Sequence, residues 1–273
     1  MKILFLSLLT LACSVGHCAK KKNRNASTDE IRFVPVERTP EPSNVKIQIT
    51  FPERNQVLGG GSLDVQIYDE GYPVGTNSDF ARADEIASNS RGESVRIIID
   101  DMPYYGIYET TYNTLDRTDL YFVEILRTTI SASLDSGMHV IRAFPVRAYG
   151  ESLKGKNSFA AHVFYVGAAQ STMNVDLRKP FLTYNEPQGS FSYDPEKPIL
   201  LDFWVANTRL SRDGYKVKVS VDGVDQQTIT AWLPYYIYGL SRGTHTIQLQ
   251  LLDPQNKVVP GDFNDVEKTI TLY

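Results

Sequence analysis

Cysteine is almost missing from this chain. Of 273 residues only Cys13 and Cys18 carry a thiol, both inside the first eighteen positions. A thiolate metal site or a Cys nucleophile in the folded part is thereby excluded, and a Cys13–Cys18 disulfide would close a loop too small to staple a core. Long apolar runs are missing too, since nothing approaches the roughly 18 residues of a membrane-spanning helix. Excess positive charge is absent. With 28 Lys and Arg against 32 Asp and Glu, the net charge is -4, which argues against a nucleic-acid partner. Four histidines offer no His-x-x-x-His or His-Glu-x-x-His spacing for zinc, and no Gly-x-Ser-x-Gly elbow occurs. Amphipathic helical periods are scarce as well. Phe80–Ser88 and Asp119–Ile130 are the helix candidates, read as local decoration. What is present, 42% hydrophobic and 22% charged residues, is ample for a packed core.

The first residues read as an export signal. Met1-Lys2 is followed by an apolar run to Ala12 and then by small residues, the layout of a secretory signal peptide over residues 1–19. Thr10-Leu11-Ala12-Cys13 resembles a bacterial lipobox, in which a small residue precedes the lipidated Cys. It departs from that pattern at Thr10 and Leu11. Lipidation at Cys13 and ordinary cleavage after Gly16 or Cys18 both fit the small-residue rule. Residues 20–43 hold Lys20, Lys21, Lys22 and Arg24, then Pro35, Pro40 and Pro42, with few periodic apolar residues. They are expected to form a flexible, extended linker. Beside a lipid anchor, that cation cluster would also meet anionic headgroups.

From Val45 onward, short segments alternate apolar and polar residues at period two. Val45–Phe51, Leu63–Ile67, Val95–Ile99, Val217–Val221 and Thr246–Leu251 read as strands with one buried face, divided by Gly59-Gly60-Gly61, Asp213-Gly214, Asp222-Gly223 and Arg242-Gly243. The chain is also duplicated. Val95–Asp101 parallels Val217–Gly223, and Leu134–Ile141 parallels Leu240–Ile247 through a shared Leu-x-x-Gly-x-His-x-Ile. The offset is 122 residues at Asp100/Asp222 and 106 at Gly137/Gly243, so the first half holds 16 extra residues between its blocks. A polar insertion, Gly75–Glu93, also falls in the first half.

Candidate chemistry is sparse. His139 and His245 stand at matched positions, which favours a fold constraint over two copies of an active site. Each is expected to bond a turn carbonyl. Asp100-Asp101 suggests a cation-binding turn, but Asp222-Gly223 replaces it in the second half and the oxygens calcium needs are lacking. No catalytic or metal-ligating set and no cofactor are therefore assigned. The aromatic surplus is the remaining candidate. In Trp232–Gly239, Trp232, Pro234, Tyr236 and Tyr238 share one strand face, with Leu233, Tyr235 and Ile237 on the other. Tyr104, Tyr105 and Tyr108 form a rough echo in the first half. Trp232, Tyr235, Tyr236, Tyr238, Tyr104 and Tyr105 are the candidate binding residues, as a stacking row for sugar rings or peptides, or as packing between domains.

The succession of strand, Asp-Gly turn, strand and Leu-x-x-Gly-x-His resembles the immunoglobulin-like modules of bacterial surface proteins, without the Cys…Trp…Cys core of antibody domains. The resemblance covers about Asn44–Tyr273. The expected fold is therefore all-β, with two tandem immunoglobulin-like β-sandwich domains at 44–167, carrying the insertions, and 168–273. It implies a non-enzymatic binding or scaffolding protein of the bacterial cell envelope. Its partner would be an envelope protein or glycan, with no nucleic acid, and it would sit lipid-anchored or free in the periplasm or at the cell surface. The alternative is a carbohydrate-binding accessory protein, or a hydrolase whose site lies in the first-domain insertions.

Overall fold

A computed structural model describes residues 30–110, 112–113 and 123–273. The signal segment with Cys13 and the start of the expected linker lie outside the described residues. Those residues are nearly all β, in four sheets with one short helix, α1 (Arg82–Glu85).

Two sheets enclose the N-terminal core. One runs in the order β2 (Lys46–Phe51), β4 (Leu63–Glu70), β8 (Val123–Ile130), β7 (Tyr112–Asn113). The other runs β3 (Val57–Leu58), β10 (Ala160–Val166), β9 (Gly137–Val146), β5 (Ser94–Ile99), β6 (Tyr105–Ile107). Alternation drives this packing. Val65, Ile67, Val95, Ile97, Ile99, Ile141 and Phe164 point between the sheets and are fully buried.

Two more sheets enclose the C-terminal core. One follows the order β1 (Arg32–Pro35), β16 (Tyr235–Tyr238), β13 (Ile199–Ala206), β11 (Phe181–Glu186). The other follows β12 (Gly189–Phe191), β18 (Asp265–Leu272), β17 (Gly243–Leu252), β14 (Lys216–Val221), β15 (Val224–Ile229). Leu201, Phe203, Val217, Val219, Ile247 and Leu249 fill the space between them.

The two sandwiches repeat one topology. Apart from β7 and β1, each strand of the first has a counterpart at the same place in the second, down to the parallel edge pairs β3–β10 and β12–β18. The shared motif has a physical explanation. Asp100 and Asp222 end β5 and β14 in the left-handed region, at φ 50° and 51°. Each carboxylate then reaches across to the neighbouring strand of its sheet, β9 or β17. Asp100 Oδ1 accepts from Val140 N at 2.8 Å and Oδ2 meets His139 Nδ1 at 2.7 Å. Asp222 does the same with Thr246 N and His245 Nδ1, at 2.8 and 2.7 Å. The other ring nitrogens meet the carbonyls of Asp135 and Ser241 at 2.8 and 2.9 Å, as expected from the sequence. Gly137 and Gly243, two residues before each His, take φ of 136° and 137°, where a side chain would strain the backbone.

Two expectations are corrected. Asp119–Ile130 is not a helix where it is described. Val123–Ile130 is β8, paired along its whole length with β4. Leu126 and Ile130 lie four apart, a spacing that both periods place on one face. Nor does the segment 20–43 remain a linker to its end. Arg32–Pro35 pairs antiparallel with Tyr238–Tyr235 and buries Phe33 in the C-terminal core. The 16 extra residues explain why. In the N-terminal sandwich they supply β7, the edge strand beside β8. The C-terminal sandwich lacks that insertion, and β1 occupies the matching edge beside β16.

Phe33→Ala is therefore expected to cost about 3 kcal/mol in urea unfolding, with faster amide exchange in β16 as its signature. A second expectation concerns pH. At His245, partial burial works against the charged ring, but the Asp222 carboxylate and Ser241 carbonyl outweigh it and raise its pKa above 6.5. Its contribution to stability is complete below 6.5 and is lost as pH rises through the raised value. Burial lowers the pKa of His162, so protonation of the unfolded chain opposes folding as pH falls below 6.5. Imidazole NMR titrations should show His245 titrating above His162.

Candidate functional site: the seam between the sandwiches

The inner sheets of the two sandwiches press against each other. β5, β9 and β11 are consequently buried on both faces, and β13 nearly so. One face of each serves its own core. The other meets the seam, where Ile98, Phe144 and Val146 pack on Trp204, and Val140 packs with Phe181 and Phe263.

Charge is buried in this apolar layer. Arg96 of β5 pairs with Glu186 at 2.6 Å, bonds Asn185 Oδ1, and lies 3.7 Å from the Tyr104 ring centroid. Arg142 of β9 bonds Thr183 Oγ1 at 3.2 Å and the Asp100 carbonyl, and stacks 4.0 Å over Phe263. Burial lowers its pKa to about 10 despite the nearby Asp101 and Asp100. Arg147 pairs with Glu93 at 2.8 Å, and Lys154 with Asp202 at 2.7 Å.

Two of these cations, Arg147 and Lys154, come from one loop, residues 147–154 after β9. A bridge between Val146 and Ser152 closes it, as a bridge between Leu252 and Val258 closes the matching loop of the second repeat. The second loop is largely exposed, whereas Arg147–Lys154 is wholly buried. Sequence reading passed over this loop because charged residues in a turn ordinarily face water.

The insertion Gly75–Glu93 and the segment after β1 close over the loop. Glu151 accepts from Thr39 N at 2.9 Å, from Thr39 Oγ1 at 2.6 Å and from Arg82 Nη1. Arg82, at the start of α1, also donates to Tyr236 Oη at 3.1 Å and to the Glu37 carbonyl at 2.5 Å. The Arg147 guanidinium bonds the Pro40 carbonyl at 2.7 Å, and Lys154 N bonds Glu41 Oε1 at 2.8 Å. Residues 32–41 thus form a strap, a strand on one sandwich and a string of hydrogen bonds, buried at Thr39, on the other.

The expected aromatic row is covered rather than open. Tyr235 is 3% exposed and sits in the C-terminal core; Tyr236 is 5% exposed and donates to Glu85 at 2.5 Å. Both are corrected as surface binding residues, because each side of β16 has a partner layer. Half-buried Trp232 donates to the Phe203 carbonyl at 2.9 Å and lies under Arg38, and half-buried Tyr238 lies under Arg32. The echo between the halves is not a structural equivalence, since Tyr105 belongs to β6, the counterpart of β15. Tyr105 packs on the N-terminal core.

Tyr104 does reach a site. A cleft of about 240 Å³ opens at the edge of the seam, lined among others by Ile86, Asn89, Arg96, Tyr104, Glu186 and Phe191. The insertion supplies one wall and β12 another. Burial raises the pKa of Glu186 although Arg96 opposes the shift, and burial with the Glu186 charge pushes the Tyr104 phenol up to about 12. The cleft therefore presents a fixed ion pair and amide groups beside an apolar wall. A wider, more open groove of about 480 Å³ between β2 and β10 has no comparable buried pair.

No protein-family model matches the chain, and no curated protein does. Among solved structures, it is similar to fibronectin(III)-like modules of Clostridium thermocellum CbhA, with 11% identity, a TM-score of 0.28, and 83% of this chain and 93% of that one covered. The two tandem V-type regions of VCBP3, a v-region-containing chitin binding protein, give 8%, 0.23, 84% and 99%. Bacteroides ovatus SGBP-B, in complex with a mixed-linkage heptasaccharide, gives 16%, 0.17, 89% and 48%. The first two are fibronectin(III)-like and immunoglobulin-like, and a likeness this loose fixes neither kinship nor ligand.

Glu151→Ala strips Arg82 and Thr39 of their shared partner, and is expected to cost about 3 kcal/mol in urea unfolding and to expose residues 36–42 to limited proteolysis. Lys257→Ala, in the matching exposed loop, should change stability by less than about 0.5 kcal/mol.

Proposed function

We propose that this chain is a non-enzymatic, exported binding and scaffolding protein of the bacterial cell envelope, built from two tandem immunoglobulin-like domains held in one fixed arrangement. The observation that carries this reading is the seam. Buried ion pairs and a strap lock the sandwiches together, and they leave a formed cleft where the two halves and the insertion meet, a common setting for a ligand site. The exported, lipid-anchored or periplasmic location rests on the Met1–Cys13 sequence.

The cleft suits a small polar ligand with one apolar face. Tyr104 and Phe191 offer ring surface, while Asn89, Gln188 and Ser190 offer hydrogen bonds. That pairing favours a saccharide as the second, more specific reading. The hydrolase alternative is weaker. Of the residues lining the cleft, Glu186 is the one carboxylate, and Arg96 holds it, whereas glycoside hydrolysis ordinarily uses two.

Ligand-observed NMR of the purified protein against panels of mono- and oligosaccharides and short peptides tests this. A binder from either panel should lose at least about tenfold in affinity, roughly 1.4 kcal/mol, in Phe191→Ala and in the cleft-filling Ser190→Trp. Binding unchanged by both substitutions would place the ligand elsewhere.

A further inference from the structure

Among the described residues, Lys154–Asp202 is the buried ion pair that joins a primary amine to a carboxyl group. Both side chains are 1% exposed, and Nζ lies 2.7 Å from Asp202 Oδ1. The other carboxyl oxygen is held differently. Asp202 Oδ2 accepts from Asn185 Nδ2 at 2.6 Å, from Ser152 N at 3.3 Å and from the Ser152 hydroxyl. That hydroxyl in turn accepts from Lys154 Nζ. The rings of Trp204 and Trp232 each lie 5.7 Å from Nζ, and Phe159 packs 4.8 Å from Trp204. A salt bridge alone does not require three donors on one oxygen with an amine on the other. That arrangement is what acyl transfer uses, a nucleophile at the carbonyl carbon and donors where negative charge develops.

We propose that Lys154 and Asp202 condense in the folded chain to an Nζ–Cγ amide, a covalent cross-link between the two sandwiches. A proton passes from the Lys154 ammonium to Oδ1, leaving a neutral amine beside a carboxylic acid. Burial favours that neutral amine, against the pull of Asp202. The amine lone pair attacks Cγ, and the charge that gathers on Oδ2 is met by Asn185 Nδ2–H, Ser152 N–H and the Ser152 hydroxyl. A second Nζ proton goes to Oδ1, the Cγ–Oδ1 bond breaks, and one water leaves. Nothing is oxidised or reduced, and no co-reactant is needed. Two features favour the product. The fold holds amine and carboxyl in contact, which removes the cost of bringing them together. The amide also replaces two buried charges by a neutral group, relieving the penalty of holding both ions away from water.

The cross-link is read directly from mass. The intact mature protein, its N-terminus identified by peptide mapping, should be lighter than its sequence by one water. Trypsin should no longer cut after Lys154 and should release a branched peptide joining the Lys154 and Asp202 segments. Lys154→Arg, which retains the charge but not the reactive amine, should carry its full sequence mass. A wild-type protein at full sequence mass, or a missing water that maps to other residues, would overturn the proposal. The wild-type measurement decides the matter even if the variant folds poorly.

Discussion

Arg96, Arg142, Arg147 and Lys154 all lie where two β-sheets press together, in a layer that also holds Trp204, Phe144 and Phe181. A cation there is tolerable only with a fixed partner, because isolated burial costs far more than any single contact returns. The rest of the architecture follows from that constraint. Glu186, Asn185 and Asp202 must come from the C-terminal sandwich at defined heights, so the two halves have one register against each other. Glu93 and Ser78 must come from the insertion, which therefore folds down onto the seam. Glu151 must be satisfied by Thr39 and Arg82, and that draws the N-terminal segment across both halves. A purely apolar seam would tolerate sliding; paired charges do not.

A repeated topology in two different surroundings explains where these groups sit. The two repeats share the Asp–His clamp, the glycine at positive φ and the loop closed after the long central strand. The copies differ in what covers them. The loop after β9 faces the other sandwich and carries Arg147, Glu151 and Lys154, while its counterpart after β17 faces water and carries no buried charge. The edge beside β8 is filled from within its own repeat, and the edge beside β16 by β1. An open edge next to Tyr236 would have left backbone donors and acceptors unpaired.

The aromatic run shows how an accurate local reading can mislead about role. Alternation in Trp232–Tyr238 correctly separates Tyr235 and Ile237 from Tyr236 and Tyr238. The free chain, however, gives no sign that both faces are claimed, one by the C-terminal core and the other by the insertion and the strap. Of the six aromatic candidates, Tyr104 alone lines the seam cleft. Its neighbours there, Ile86, Asn89, Glu186 and Phe191, are scattered over a hundred residues and carry no motif.

The sequence by itself determined the strands at 45–51, 63–67, 95–99, 217–221 and 246–251, because period-two alternation and Gly or Asp turns act over a few residues and need no partner to be recognised. It also determined the duplication, the extra residues of the first half and the structural part played by His139 and His245, all of which rest on matched local patterns. Only the tertiary structure decided that residues 32–41 are a strap, that 147–154 is a buried hub and that the insertion walls a cleft. Each of these depends on a neighbour 40 to 200 residues away. A charged or proline-rich segment has the same local pattern whether it meets water or another sheet, and burial, which separates the two, is a property of the folded whole.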